Sequence, residues 1–243
     1  MLIPSLSPDE RLPRYVEELL AADYGLILVV DDGSAPEYQP IFEQLSQMDG
    51  CHVLHHDVNH GKGQALRTGF QFIMEKTKIR GIVTADADGQ HTVEDCWKLA
   101  EALAHTTRRT MYLGSRDFDQ PDVPFKSRNG NKITSTVFKL LYGVWVSDTQ
   151  TGLRGFSHKL LPTMIAVKGD RYEYEMNMLI ECARRHLPMR PLPIQTVYEN
   201  NNEGSHFRAV RDSARIYSVI LAGFFRFIGA SLMSFVVDYL LYL

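Results

Sequence analysis

The stretch Gly81-Ile82-Val83-Thr84-Ala85-Asp86-Ala87-Asp88-Gly89-Gln90 runs from a short apolar segment into two carboxylates one residue apart. On a strand, residues i and i+2 share a face, so Asp86 and Asp88 can aim two hard oxygen ligands at one point beyond the strand's carboxyl end. Such a pair suits Mg²⁺ or Mn²⁺, which favour oxygen and leave coordination positions for substrate phosphates. Gly89 permits the sharp turn that follows. Thr92-Val93-Glu94-Asp95 reads as a helix N-cap with an acidic residue at N3. A solvated turn can carry the same Asp-x-Asp spacing, so the weight of this pair depends on the rest of the chain.

Further stretches carry chemistry. Asp31-Asp32-Gly33-Ser34 closes the apolar run Leu26 to Val30 and could bind the polar edge of a base or ribose, or simply cap a β-turn. Asn59-His60-Gly61-Lys62-Gly63-Gln64 sets a lysine between two glycines just before a helical pattern. Backbone amides and a helix N-terminus favour an anion there, and Lys62 adds a point charge. The spacing is not that of a Walker A loop. Gly114-Ser115-Arg116 and Phe125-Lys126-Ser127-Arg128 supply arginines whose planar forks match phosphate oxygens. Ser147-Asp148-Thr149-Gln150-Thr151-Gly152-Leu153-Arg154 joins a carboxylate, hydroxyls, glycines and an arginine in one loop. Farther on, Arg171-Tyr172-Glu173-Tyr174-Glu175 opens a helical pattern with two acids, and Ser205-His206-Phe207-Arg208 precedes an apolar tail.

The elements that must position these groups alternate. Strands are expected at Leu2-Ile3, Leu26–Val30, Cys51–His55, Gly81–Ala85 and Thr110–Gly114, with an extended segment at Pro191–Val197. Helices are expected at Pro8–Ala22, Tyr38–Gln47, Gln64–Thr77, Val93–His105, Lys132–Tyr142 and Asp170–His186. The uninterrupted run Leu26-Ile27-Leu28-Val29-Val30 is how a strand buried on both faces of a parallel sheet reads. Repeated β-α-β order predicts an α/β fold, a doubly wound and mostly parallel sheet with helices on both faces, in which ligands sit beyond the carboxyl ends of the strands. With 243 residues and 44% hydrophobic content, the chain has room for one α/β domain plus an appendage. A net charge of −3 gives no reason to expect a nucleic-acid partner. Three widely separated cysteines, Cys51, Cys96 and Cys182, point to a reducing compartment, and the start of the chain does not read as a secretory signal. We expect a catalytic domain over residues 1–215 and a distinct segment over 216–243. In that segment the charged residues are Arg226 and Asp238, and its longest uncharged piece, Phe227–Val237, is too short to span a bilayer. It reads as an interfacial or buried helix pair, or as the beginning of a membrane region.

Together the motifs Asp31-Asp32-Gly33-Ser34, Asn59-x-Gly61-Lys62-Gly63-x-Ala65-Leu66, Asp86-Ala87-Asp88-Gly89-Gln90, Gly114-Ser115-Arg116, Asp148-x-Gln150-Thr151-Gly152-x-Arg154 and Ser205-His206-Phe207 resemble, in order, those of family-2 glycosyltransferases, specifically the dolichyl- or undecaprenyl-phosphate mannose and glucose synthases. The resemblance covers about residues 2–215, and the tail from Phe227 resembles the start of a GtrA-like membrane domain. It implies a GT-A fold. It also implies inverting transfer of a hexose from a UDP- or GDP-sugar to a polyprenyl phosphate at the cytoplasmic face of the membrane, with Mg²⁺ or Mn²⁺ as cofactor and possible homo-oligomers through membrane helices. Carried over by motif, Asp86, Asp88 and Gln90 would hold the metal. Pro4, Asp31, Asp32, Lys62, Ala87, Arg154 and His206 would join Asp86 and Arg116 around the nucleotide sugar, Arg116 and Arg128 would meet donor or acceptor phosphate, and Asp148 would stand on the acceptor side as candidate base. The alternatives are a different glycan acceptor or a non-catalytic membrane-associated protein that binds nucleotide sugars. Two departures are visible. The opening Pro4-Ser5-Leu6-Ser7-Pro8-Asp9-Glu10 lacks the family's tyrosine, and Asn200 and His206 stand where mannose synthases carry arginine and lysine. Because a phosphate monoester is mostly dianionic near neutrality, its second pKa being about 6, the attacking oxygen needs little help from a base. Asp148 is therefore expected to position the acceptor as much as deprotonate it.

Overall fold

A computed structural model describes residues 1–76, 79–120, 123, 125–195 and 209–242. Its elements in chain order are β1 (Leu2–Ser5), α1 (Arg11–Ala21), β2 (Ile27–Asp31), α2 (Gln39–Ser46), β3 (Cys51–His55), α3 (Lys62–Lys76), β4 (Gly81–Thr84), α4 (Val93–Ala104), β5 (Met111–Arg116), α5 (Phe125–Tyr142), β6 (Arg154–Ser157), α6 (Leu161–Ile165), α7 (Glu173–Arg184), β7 (Met189–Ile194) and α8 (Ala209–Tyr242). The strands form one seven-stranded sheet in the order β3-β2-β1-β4-β6-β5-β7. β1 pairs in parallel with β2 and β4, β2 with β3, and β5 with β7.

Alternation along the strands sorts the core into two layers. Leu2, Leu28, Val30, Ile82, Met111 and Leu113 face one side, where they meet Leu66 and Phe70 of α3, Phe138 of α5 and Leu179 of α7. Ile3, Ile27, Val29, Val83 and Tyr112 face the other, against Val16 of α1, Phe42 of α2 and Leu99 of α4. Both layers bury their apolar faces almost fully, which is why β1 and β2 read as unbroken apolar runs. Three unpaired cysteines are buried in these layers, Cys51 and Cys96 on the α4 side and Cys182 on the α7 side.

The expected mostly parallel sheet with helices on both faces is present. One strand was not expected. β6 lies between β4 and β5 and runs antiparallel to both, with Thr84 opposite Arg154 and Leu113 opposite that same residue. Its sequence, Arg154-Gly155-Phe156-Ser157, has neither alternation nor an apolar run, so it carries no strand signal. Gly155 fits there closely, since a Cβ would press within 3.2 Å of Leu103 and 3.3 Å of Tyr112. Reversal of β6 has a topological effect. A parallel strand brings its exit to the ligand edge of the sheet, whereas an antiparallel one brings its start. The loop 147–153 that leads into β6 therefore arrives at the edge where β4 and β5 end.

α8 is one helix of 34 residues, running unbroken through the boundary expected between 215 and 216. It packs on α7 and α5, with Tyr142 Oη donating to the Ile220 carbonyl at 3.1 Å and Tyr217 Oη 3.2 Å from Thr134 Oγ1. From Leu232 to Tyr242 every side chain is exposed, Leu241 by 81%. Among the described residues no helix is long and apolar enough to cross a membrane.

Candidate active site

Four strand exits and the start of β6 converge on one edge of the sheet. Pro4 is buried near the end of β1. At the end of β2, Asp31 is buried, its Oδ1 accepting the Ser34 amide at 2.8 Å while Oδ2 faces His55 Nδ1 at 3.0 Å and Gln39 Nε2 at 3.3 Å. Burial pushes its pKa up, but the Ser34 and His55 bonds together outweigh that and hold it below the usual carboxylate value.

Asp32 points elsewhere. Its Oδ2 accepts the Gly61 amide at 2.7 Å, and its Oδ1 accepts the His60 amide at 3.0 Å and lies 2.8 Å from His56 Nδ1. Both oxygens are thus engaged in fixing the turn before α3. Asp32 was expected beside the nucleoside, and the structure makes it the anchor of the Gly61-Lys62-Gly63 loop. The glycines are needed by that loop. Gly61 has φ +105°, and a Cβ on Gly63 would lie 2.5 Å from Tyr174 Cβ.

The anchored loop delivers Lys62 to the carboxylates. Its Nζ sits 2.7 Å from Asp86 Oδ1 and 2.9 Å from Glu175 Oε2. Burial would lower the ammonium pKa, but Asp86 and Glu175 raise it, so Lys62 stays charged. The lysine expected on a diphosphate is therefore seated between two carboxylates at the edge of that site. Asp86 also faces His91 Nε2 at 3.5 Å. Burial would raise its pKa, and the Lys62 charge with the His91 contact drives it well below normal instead. Asp88 lies in the opposite situation. Burial first and the neighbouring Asp86 charge second push its pKa up, although its Oδ1 accepts the Gln90 amide at 3.1 Å. Ala87 and Gln90 are half-buried beside the pair. The expected N-cap forms as read, with Thr92 Oγ1 accepting the Asp95 amide at 3.1 Å.

At the exit of β5, Arg116 and Asp148 make a fork-to-fork pair. Nε donates to Oδ2 at 2.7 Å and Nη2 to Oδ1 at 3.0 Å, while the Asp148 side chain is fully buried. The Gln150 amide also donates to Asp148 Oδ1 at 3.0 Å. Arg128, expected at a phosphate, donates through Nε to the Phe118 carbonyl and through Nη2 to the Gln120 carbonyl, at 2.7 and 2.6 Å. It braces the loop after β5. Arg154 is 1% exposed, with Nε on the Thr151 carbonyl at 2.9 Å and Nη1 on the Glu175 carbonyl at 2.7 Å, which places it beneath the site as a strut between the 147–153 loop and α7. Gly152 closes the arrangement. It packs so tightly on Asp86 that a Cβ would overlap the carboxylate. His206 lies outside the described residues.

The arrangement thus holds an acidic pair at the end of β4, a lysine beside it, and an arginine–aspartate fork at the end of β5, all on one sheet edge. The family model "Glycosyl transferase family 2" matches residues 2–164. The chain belongs to glycosyl transferase family 2. This glycosyl transferase domain is 32% identical over 203 residues to the uncharacterized protein MJ1222 of Methanocaldococcus jannaschii, covering 82% of this chain and 81% of that one. It is 28% identical to the UDP-N-acetylglucosamine–dolichyl-phosphate N-acetylglucosaminyltransferase of Methanococcus voltae, covering 82% and 85%. Its fold matches that of the mannosyltransferase PcManGT of Pyrobaculum calidifontis, solved in complex with GDP-Man and Mn²⁺, with a TM-score of 0.59 and 14% identity over 93% of this chain and 63% of that one.

Sequence reasoning had not given a role to Glu175, His91 or Asn131. Glu175 was visible as one of two acids opening a helix, but nothing in a linear reading places α7 against α3. Asn131 lies in a basic stretch, Lys126 to Lys132, where a neutral amide carries no signal of its own.

Proposed function

We propose that this glycosyl transferase moves a hexose from a nucleoside diphosphate to a polyprenyl phosphate at the cytoplasmic face of a membrane. The observation that carries the reading is the sharing of one sheet edge by the Asp86-x-Asp88 pair and the Arg116–Asp148 fork, with Gly152 of the same loop as Asp148 packed on Asp86. One half of that edge suits a diphosphate leaving group and the other an acceptor anion. The Methanococcus voltae relative, whose named acceptor is dolichyl phosphate, supports the same reading.

Asp86 and Asp88 fit a divalent cation by the chemistry of their donors. Both are hard oxygen ligands, and a cation held by them would offset the burial and the Asp86 charge that together raise the Asp88 pKa. Gln90 would stand beside them as a third member. When bound, Mg²⁺ or Mn²⁺ would stabilise the charge that develops on the departing diphosphate.

The chain's own residues act around that centre. Asp31, with its lowered pKa, presents an anionic acceptor to the nucleoside, next to Pro4. Lys62 keeps Asp86 ionised and contributes positive charge where negative charge grows. Arg116 orients the acceptor phosphate. One of its oxygens attacks the anomeric carbon as the bond from that carbon to the diphosphate oxygen breaks, inverting the centre and leaving a nucleoside diphosphate. No proton needs to leave a dianionic phosphate, and both oxygens of Asp148 are already held by Arg116 and Gln150. Asp148 therefore acts here by fixing Arg116.

The membrane location draws support from exposed surface. α5 presents Ile133 and Leu140 with Lys132 and Lys139, Trp145 follows it, and the far end of α8 is exposed and mostly apolar, with Asp238 its one charge. Apolar groups bordered by lysines suit an anionic lipid surface. A second copy of the chain could cover part of the same apolar end. The direct test supplies UDP- and GDP-sugars with a short-chain polyprenyl phosphate, with and without EDTA. Transfer to the lipid phosphate that EDTA abolishes is the expected result. Transfer only to a non-lipid glycan would overturn the reading.

A further inference from the structure

Asn131 projects from α5 and is 4% exposed. Its side-chain amide meets the backbone on both sides of Asp148. Nδ2 donates to the Ser147 carbonyl at 2.6 Å, and Oδ1 accepts from the Thr149 amide at 3.0 Å and from Thr149 Oγ1 at 3.2 Å. The two ends of the amide are not interchangeable. Reversed, Nδ2 would face the Thr149 N–H and Oδ1 would face the Ser147 carbonyl, so the hydrogen-bond pattern fixes the orientation. One side chain thus gives residues 147 and 149 the pairing that a neighbouring strand would give, where among the described residues no strand pairs with them. A third tie comes from β5, where Ser115 Oγ lies 2.7 Å from Ser147 Oγ.

Asn131 makes no hydrogen bond to Asp148 itself. It fixes the peptide units on either side, and so the direction in which the buried Asp148 carboxylate leaves the backbone. Both oxygens of that carboxylate then hold the guanidinium of Arg116. We propose that Asn131 is a positioning residue of the acceptor side, setting Arg116 through the backbone around Asp148. This inference rests on the reading of Arg116 as the acceptor-phosphate ligand. Misplacement of a reacting group by about 1 Å can cost about 10²-fold in rate, so a small rotation of this fork is enough to matter.

The test separates the acceptor side from the donor side. Full-length wild type, Asn131→Leu, Asn131→Asp and Thr149→Val are assayed with UDP-N-acetylglucosamine, and with GDP-mannose in parallel, for transfer to a short-chain polyprenyl phosphate. The same preparations are assayed for hydrolysis of the donor without acceptor, and for the thermal shift produced by UDP and GDP. Asn131→Leu keeps the volume and loses both hydrogen-bonding ends. Asn131→Asp keeps the acceptor and loses the donor to Ser147. Both are expected to lower kcat/KM for the lipid phosphate by up to about tenfold, the loss being bounded by that of the Arg116 fork through which they act, with hydrolysis and nucleotide shifts within about twofold of wild type. Thr149→Val, which removes only the hydroxyl bond, is expected to raise the acceptor KM by a few-fold. Equal loss of hydrolysis and transfer would make Asn131 a general support of the fold and overturn the proposal, as would unchanged transfer. If the Asn131 variants do not fold, Thr149→Val decides, and an unchanged acceptor KM overturns the proposal. A wild type that hydrolyses donor yet transfers nothing to the lipid phosphate overturns the functional reading and this inference together.

Discussion

Lys62 is the residue on which the donor side balances. Replacing it with methionine leaves Asp86 and Glu175 facing each other without the ammonium that now lies within 3 Å of both. Breaking a buried pair by removing one partner costs about 3–5 kcal/mol, and the partial exposure of Asp86 brings the expected loss nearer 2 kcal/mol. The pH dependence follows from the direction of the shift. Asp86 has a depressed folded pKa, so its contribution is present above the ordinary aspartate value of about 4 and is lost as pH falls toward the folded value. Melting temperatures of wild type and Lys62→Met should therefore differ by a steady amount above about pH 5 and converge as pH falls below about 4. A gap independent of pH would mean that packing, not charge, explains the loss. Asp148→Asn asks a different question. The amide can accept only part of the Arg116 fork, so we expect activity to fall about tenfold, short of the 10²–10⁴-fold typical of a lost general base. The acid limb of kcat/KM against pH should remain in that variant. Its disappearance would make Asp148 the base.

At the scale of elements, the reversed β6 decides how the site closes. Because it starts where β4 and β5 end, Gly152 is pressed against Asp86 and Asp148 meets Arg116. Gly152→Ala should accordingly weaken nucleotide-sugar binding by more than tenfold while shifting the melting temperature little, measured by calorimetry and by thermal denaturation. A melting loss as large as that from Lys62→Met would place the strain in the fold and not in the site. Thr92→Val, which removes the cap of α4 just after the acidic pair, should cost about 1 kcal/mol of stability. These elements also show what was legible in the chain. Polar groups at strand exits could be found because the strands before them are mostly apolar, as with Leu28-Val29-Val30 before Asp31 and Ile82-Val83-Thr84-Ala85 before Asp86. β6 could not, since its one glycine, Gly155, is favoured by the closeness of Leu103 and Tyr112 from other elements. The loop-shaping contacts of Asp32, Arg128 and Arg154 were not legible for a related reason. A charged side chain beside a ligand loop looks the same in sequence whether it meets the ligand or the carbonyls and amides that shape the loop.

At the scale of the whole molecule, α8 gives the protein two unlike ends. Its first half is docked on α5 and α7, while its last residues place Leu232, Phe235, Leu240 and Leu241 in solvent. If that end meets lipid, the protein should float with vesicles containing anionic phospholipid, and removing residues 232–242 should sharply reduce flotation without lowering the melting temperature. Equal flotation after the deletion would shift the contact to the Ile133, Leu140 and Trp145 surface. The buried thiols of the two core layers have a further use. Burial pushes Cys51 and Cys96 up to about 11 and Cys182 up to about 12, so in the native state all three are both shielded and protonated. Each becomes a nucleophile only when its own layer opens. Pulses of a thiol reagent, read residue by residue by mass spectrometry, would turn the three cysteines into clocks for local opening, with Cys51 timing the sheet edge at β3, Cys96 the helix behind the acidic pair, and Cys182 the layer under α8.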